Sequence, residues 1–290
     1  MVVLYSYTRF SLFVVTLFFY LLSLPAKAQY SGKDMADDVL VIGVNSAFYG
    51  LIGGVGAAVQ KQRFIDGFKK GALGGSIIGT GKFLVGKNYR LGWPARLATG
   101  LGSRMVENTV RGNHILQTLG TDIGPVYLEW TKSEDKYKFK PEIWLGSAFS
   151  LVISIFRTEA FDWRASLATG SLTFTMNSLN LYSTIGVGTA MSNIVWIPDL
   201  AKQYTTYSHE IIHSYQTLSI APLGALVLGN GWVMKKYDKW HLRVEEDFGS
   251  VLLWVPELLL LPNNKMPREL EADALVDYFP VRSDKRIWQK

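Results

Sequence analysis

The sequence predicts an α+β protein made of three successive segments. The first 28 residues have the pattern of an export signal. The next segment is rich in glycine and has helical spacing, and the remainder changes from strand-like to helical patterns. We therefore expect a signal at 1–28, a glycine-rich helical region at 29–123, and a further domain at 124–290. In that domain a sheet occupies 124–197 and helices occupy 199–290.

Composition excludes several classes of protein. The chain has 290 residues, 48% of them hydrophobic and 19% charged, so it is neither disordered nor fibrous. It contains no cysteine, and any bound metal must therefore have nitrogen and oxygen ligands. The formal charge of +6 is spread along the chain without a basic block, which argues against a nucleic-acid partner.

The N-terminus predicts export. Arg9 precedes an apolar run, Phe10–Leu24, and the run is followed by Pro25 and an A-x-A site that ends at Ala28. A positive start, an apolar stretch of this length and small residues at the cleavage site are typical of a secretory signal. We expect cleavage after Ala28 and a location in the bacterial periplasm or cell envelope. An uncleaved anchor helix is the alternative, but the run is short for a span of about 20 residues.

The glycine-rich region allows two interpretations. Residues 39–60 contain no charge and are long enough to cross a bilayer. A four-residue glycine period follows, which places one small stripe along a helix and lets a second helix approach closely: Gly67, Gly71, Gly75 and Gly79. Either 39–81 forms a hairpin that contacts a membrane, or two tightly packed helices lie inside the protein. Three lysines make the second run a poor span: Lys69, Lys70 and Lys82.

Residues 124–197 predict an antiparallel meander of four to six strands. Val126–Trp130 and Tyr137–Lys140 are rich in β-formers and flank a polar turn, which indicates a hairpin. Four further stretches are rich in β-branched and aromatic residues, and we expect strands there: Ile143–Phe156, Phe161–Leu167, Leu172–Met176 and Ile194–Ile197.

The last third predicts helices that carry the chemistry. One helix runs through Tyr204–Thr217 and is interrupted by Pro222. It contains H-E-x-x-H, formed by His209, Glu210 and His213. Residues four apart share a helix face, so the two imidazoles can bind one zinc ion while Glu210 acts as general base. The isoleucines between them leave the opposite face free to enter the core.

A catalytic zinc site requires a third protein ligand. The best candidate is Glu269, early in a helix that Pro267 opens, with Asp273 on the same face as an acceptor for the free ring nitrogen of a histidine ligand. Glu271 points about 200° away and is the weaker candidate. Glu245 and His241 are the remaining alternatives.

These residues resemble a family pattern. The stretches S-H-E-I-I-H-S-Y-Q and R-E-L-E-A-D-A-L, within about residues 205–278, are similar to the H-E-x-x-H…E-x-x-A-D pattern of gluzincin metallopeptidases. The resemblance implies that His209, His213 and Glu269 bind Zn²⁺ and that Glu210 is the base. The chain departs from the membrane-embedded members at Ile212, where they usually have glycine, and it lacks their multi-span architecture.

The sequence thus favours an exported zinc-dependent peptidase that acts on a peptide or protein substrate. Ile194–Ile197 would be an edge strand that holds the substrate in extended form. The alternative is a non-catalytic, membrane-associated scaffold with a structural or vestigial metal site. A third interpretation is a toxin-like or immunity product whose residues 37–86 alone permeabilise membranes.

Overall fold

The computed structural model divides the chain into two compact units, Met1–Ser31 and Gly32–Lys290. All residues that the structure describes belong to the second unit. They are residues 35–87, 91–134, 136–157, 160–176, 189–191, 193–198, 204–229, 240–260 and 271–272. The predicted signal at 1–28 therefore lies outside the described residues.

The described part is mixed α and β, in agreement with the predicted class. The helices are α1 Met35–Val59, α2 Phe64–Lys87, α3 Gly92–Val110, α4 Leu145–Arg157, α5 Trp163–Thr169, α6 Tyr204–Ser219, α7 Ala221–Leu228 and α8 Glu245–Leu260. The strands are β1 Thr118–Ile123, β2 Val126–Ser133, β3 Lys136–Trp144, β4 Ala160–Phe161, β5 Leu172–Met176, β6 Thr189–Met191, β7 Ile194–Pro198 and β8 Leu242–Arg243.

The strands form two four-stranded sheets instead of one meander. The first sheet has the order β1-β2-β3-β8, with an antiparallel β2–β3 hairpin and a parallel β8. The second has the order β4-β5-β7-β6, and β5 pairs with β7 in parallel. The hairpin at Val126–Trp130 and Tyr137–Lys140 is confirmed. The prediction of a single antiparallel meander is wrong, because β5 and β7 pair in parallel and belong to the second sheet.

Two predicted strands are helices. Residues Leu145–Arg157 form α4, since serines at helical spacing place Ser147, Ser150 and Ser154 on one fully buried face. The apolar side chains that suggested a strand face outward instead, and Phe156 is 82% exposed. Only Phe161 of Phe161–Leu167 is in a strand.

The short helix α5 replaces the rest of the second predicted strand because its ends are capped. Asp162 accepts a hydrogen bond from the backbone N–H of Ala165 at the N-terminus, at 2.9 Å. Gly170 ends the helix at φ 70°, a left-handed conformation that glycine adopts without strain. These cap signals outweigh the β propensity of the residues between them.

Helices α1 and α2 form a tightly packed hairpin. The glycines of the four-residue period all face α1: a Cβ at Gly71 would collide with the carbonyl oxygen of Tyr49, and one at Gly79 would lie 2.9 Å from the Cα of Ile42. The predicted close approach is therefore present. By length and composition alone, Leu40–Val59 and His209–Leu228 could cross a membrane, but they are 50% and 72% buried, and this is weak evidence for a span.

A buried group of charged residues, here called the charged cluster, joins α3 to the first sheet and to the start of α8. Its cations are Arg104, Arg111, Lys140 and Arg243, and its carboxylates are Glu107, Glu129, Glu142, Glu245 and Glu246. Among these residues the carboxylates outnumber the cations by one. A buried carboxylate without a matching cation favours its protonated form.

Glu246 is the member of the charged cluster that fits this role. Its Oε1 accepts a hydrogen bond from Arg243 Nε at 2.5 Å, whereas its buried Oε2 has no hydrogen-bond partner among the described residues. Burial raises the pKa of Glu246 to about 8, and the neighbouring Glu245 and Glu107 add to this effect while Arg243 opposes it. Glu246 is therefore expected to carry the proton at neutral pH.

Candidate metal centre

Helix α6 is anchored by its rear face. Ile211 and Ile212 are each 1% exposed, as the sequence predicted for the face opposite the histidines. Tyr215 Oη lies 2.6 Å from the carbonyl oxygen of Gly92, and Ser214 Oγ lies 3.3 Å from Arg96 Nη1. Buried hydrogen bonds of this kind fix the rotation of a helix. The histidine face is therefore held in one orientation.

Arg96 extends this anchor across the fold. Its Nε donates to Asp122 Oδ1 at 2.7 Å, and neither side chain is exposed. Asp122 also accepts from Asn193 Nδ2 at 2.5 Å, which brings in the residue preceding β7. The pair thus connects α3, β1, the second sheet and α6. Burial of such a pair is costly unless every group is hydrogen-bonded, and the extra donors meet that condition.

The two histidines of the motif converge. His209 Nε2 and His213 Nε2 are 3.0 Å apart, and the ring planes meet at 84°. Two imidazole nitrogens at zinc-ligand distances of about 2.0–2.1 Å in tetrahedral geometry would be roughly 3.3 Å apart. The observed separation is close to that value. At 3.0 Å the two nitrogens are also within hydrogen-bond distance of each other, so the separation is compatible both with a ring-to-ring hydrogen bond and with two ligands of one zinc ion.

The tautomer of His213 follows from its neighbours. Gln216 Oε1 lies 2.7 Å from His213 Nδ1, and Gln216 Nε2 donates to Glu271 Oε2 at 2.8 Å. An ionised carboxylate only accepts, so the amide nitrogen must face Glu271 and the amide oxygen must face the ring. His213 Nδ1 consequently carries the proton, and Nε2 presents a lone pair. A metal ligand requires this arrangement.

Glu271 is held as an anion by groups from the first two helices. Lys82 Nζ lies 2.9 Å from Oε1, and Asn45 Nδ2 donates to the same oxygen at 3.2 Å. Burial acts to raise the pKa of Glu271, but the charge of Lys82 and the hydrogen bonds from Lys82, Gln216 and Asn45 lower it below its ordinary value. Hydrogen bonds thus connect Lys82, Glu271, Gln216 and His213 in series, and we call these four residues the relay.

Glu210 is the carboxylate of the H-E-x-x-H motif. It occupies the position after His209 on α6 and is 8% exposed. Its place in the motif is that of the general base in zinc-dependent hydrolysis.

The predicted third ligand, Glu269, and its companion Asp273 lie outside the described residues. The three alternatives are described, and each has another role. Glu271 belongs to the relay, Glu245 pairs with Arg111 Nη2 at 2.6 Å, and His241 Nδ1 lies 3.1 Å from the carbonyl oxygen of Pro141. In the described part of the chain, no group of three or more His, Cys, Asp or Glu could hold a metal ion. In that part, none of the three alternatives therefore completes a three-residue metal group with His209 and His213.

The predicted substrate strand is also wrong. Ile194–Pro198 forms β7, which lies between β5 and β6 in the second sheet. Thr189–Met191 pairs with it on one side and Leu172–Met176 on the other. Ile194–Trp196 has a strand on both sides, so a peptide cannot add to it there.

Comparison with family models, with curated proteins and with solved structures gives no match for this chain. Together with the absence of a three-residue metal group in the described part, this overturns the resemblance to gluzincin metallopeptidases. The H-E-x-x-H residues remain a local feature of α6 and assign the chain to no family.

Sequence reasoning missed the relay. Gln216 follows His213 by three residues and so shares its face, which is a readable signal. Lys82 is a lone charge in an otherwise uncharged helical run, and such a residue needs a buried partner when its helix packs. The identity of that partner depends on tertiary structure, because Lys82 and Glu271 are 189 positions apart.

Proposed function

We propose that the chain is an exported, zinc-dependent peptidase that uses the histidine face of α6. The observation that carries the proposal is the convergence of His209 Nε2 and His213 Nε2 at 3.0 Å, with the ring of His213 held by Gln216. A histidine that binds a metal usually donates its other ring N–H to a hydrogen-bond acceptor, and the amide oxygen of Gln216 would be that acceptor for His213.

His209 and His213 would hold the metal together with Glu269. Zinc bound there would supply Lewis acidity, which polarises a peptide carbonyl and acidifies water. The carboxylate of Glu210 would accept a proton from the attacking water and deliver it to the leaving amine nitrogen. The relay would keep His213 in the Nδ1–H tautomer throughout, because a turn of the Gln216 amide would place its oxygen against the carboxylate oxygen of Glu271.

Export is part of the proposal and rests on the pattern of residues 1–28. A location in the bacterial periplasm or envelope would fit a chain without cysteine, since it needs no disulfide formation. N-terminal sequencing of the secreted chain tests this part. A mature chain that starts at Gln29 would support it, and a retained Met1 would contradict it.

The decisive experiment for catalysis compares the wild type with Glu210→Gln. Both are incubated with an unbiased peptide library, and cleavage products are identified by mass spectrometry. We expect zinc-dependent cleavage by the wild type, and zinc binding without cleavage by Glu210→Gln. Cleavage retained by Glu210→Gln would contradict the role of Glu210 and would point to a contaminating peptidase.

The second candidate is a non-catalytic, membrane-associated scaffold. It is favoured by the uncharged run Val39–Gln60, whose α1 segment is only half buried. This alternative predicts no cleavage in any variant and no requirement for Glu210. Zinc content then separates a structural metal from a vestigial site.

A further inference from the structure

The outer face of the α1–α2 hairpin lacks charge along most of its length. Residues 39–60 contain no charged side chain, and Leu40 and Val44 are 42% and 55% exposed. A helix that is apolar on its packed face and also on its outer face is unusual in water. Such a helix indicates an apolar environment outside the protein.

Helix α2 continues this face because its one central charge points inward. Lys82 is 3% exposed and pairs with Glu271. Between Gly71 and Gly86 no other charged residue occurs, and Leu73 is 54% exposed. Of the three lysines that made this run a poor span, Lys82 is therefore absent from the outer surface, and Lys69 and Lys70 lie near the tip.

The tip of the hairpin has the opposite character. Phe64 and Ile65 are 43% and 45% exposed at the start of α2. Four cations surround them in sequence, opposed by Asp66 alone: Lys61, Arg63, Lys69 and Lys70. Exposed apolar side chains among cations fit the boundary between anionic headgroups and acyl chains.

We propose that the α1–α2 hairpin docks on an anionic phospholipid bilayer. Phe64 and Ile65 enter the boundary of the acyl region, the tip cations contact lipid phosphates, and the uncharged outer face lies against the hydrocarbon. The cations at the tip are complementary in charge to anionic headgroups, and this favours a bilayer as the partner of the hairpin. A second copy of the chain would bring a second cationic tip against the first, and nucleic acid would leave the aliphatic face uncovered. The proposal is independent of the metal centre.

A local probe tests the contact. Because the chain has no cysteine, Ile65→Cys can be labelled with an environment-sensitive fluorophore, and Leu116→Cys, which replaces a side chain 42% exposed in the wild type, provides the control. The full chain is mixed with vesicles of phosphatidylcholine containing 30% phosphatidylglycerol, or of phosphatidylcholine alone. We expect the probe at 65 to shift to shorter wavelength and to resist aqueous iodide quenching with the anionic vesicles. The probe at 116 should not change.

If the emission of the probe at position 65 does not change with the anionic vesicles, the proposal is overturned, even if the chain binds these vesicles through another segment. Equal shifts at 65 and 116 also overturn it, because they would indicate unspecific adsorption. Equal shifts at 65 with both vesicle types would contradict the role of the tip cations.

A charge-matched pair of variants tests the cations. Lys61→Gln/Arg63→Gln/Lys69→Gln removes three charges from the tip, and Lys132→Gln/Lys136→Gln/Lys138→Gln removes three exposed charges from the β2–β3 hairpin. Residues 1–34 are identical in both, so binding by that segment is common to them. We expect the salt-sensitive partition into anionic vesicles to fall about tenfold or more for the tip variant and less than about twofold for the control. Equal losses would overturn the proposal.

Discussion

Lys82 Nζ lies 2.9 Å from Glu271 Oε1, which ties the glycine-rich helix α2 to a residue 189 positions later. Glu271 in turn accepts from Gln216 Nε2 at 2.8 Å, and Gln216 faces the ring of His213. The packing of α1 against α2 and the orientation of a candidate metal ligand are therefore connected through one carboxylate. The glycines of α2 allow the close packing. This packing brings Asn45 of α1 and Lys82 of α2 to the same carboxylate.

Replacing Lys82 by methionine should destabilise the fold. The variant keeps most of the buried stem but removes the cation, and it leaves Glu271 with hydrogen bonds from Gln216 and Asn45 alone. We expect the free energy of unfolding to fall by about 1–3 kcal/mol. Lys69→Met removes an exposed lysine from the same helix, and it should change that free energy by about 0.5 kcal/mol or less. Urea denaturation measures both, and equal effects would contradict the role of the pair.

Packing of the hairpin can be tested by two glycine substitutions. Gly71→Ala places a Cβ against the carbonyl oxygen of Tyr49, and the backbone must shift to accept it. We expect a loss of about 1–3 kcal/mol in stability. Gly43 also lies in this hairpin, on α1, but a Cβ added there would have no neighbouring atom within 4 Å among the described residues. Gly43→Ala should therefore be neutral or stabilise by about 0.5–1 kcal/mol, because alanine favours helix. Thermal unfolding that fails to separate the two variants would refute the close approach.

The raised pKa of Glu246 predicts that stability falls as pH rises between about 4.5 and about 8. Its pKa is raised by burial to about 8 in the folded chain, above its value in the unfolded chain. The folded state then binds more protons between these two pKa values, so the stabilisation is complete below the unfolded pKa and is lost as pH rises through about 8.

Glu246→Gln should remove this dependence, because the amide mimics the protonated carboxyl group. We expect the variant to be at least as stable as the wild type at pH 9 and to show a flatter profile between pH 6 and 9 in urea denaturation series. If the stability of the variant falls with pH as steeply as that of the wild type, another group carries the proton.

Gln216 should support metal affinity without touching the metal. In Gln216→Leu the Nδ1 proton of His213 loses its acceptor, and the ring can turn or change tautomer. We expect zinc affinity to fall about 10- to 100-fold. Thr217→Val removes a hydroxyl whose hydrogen bond, within the described part of the chain, goes to the backbone oxygen of His213, and it should keep affinity within about twofold. Competition with a chromophoric chelator measures both. Equal affinities would contradict the relay.

Much of the fold was accessible from local signals. The β2–β3 hairpin, the glycine stripe and the helix that carries His209 and His213 follow from turn chemistry and from periodicity. Helix α4 was not predicted, because its apolar residues face outward and only its serines follow the buried period. Sequence rules assume that apolar residues face the core, and α4 breaks that assumption.

The candidate site was accessible only in part. The spacing of His209 and His213 places both on one face whatever the rest of the fold does. The role of Glu271 could not be read in the same way, since it depends on Lys82 and Asn45 from the opposite end of the chain. Helical periodicity had already disfavoured Glu271 as a ligand, and its contacts give it the role of an orienting group.

The proposed function requires that His209, His213 and Glu269 hold one zinc ion. Elemental analysis of the purified, folded chain, together with His213→Ala and Glu269→Ala, tests it most directly, and circular dichroism checks that each variant is folded. We expect one zinc per chain in the wild type and loss of zinc in both variants. A folded wild type without zinc, or zinc retained by His213→Ala, would contradict it.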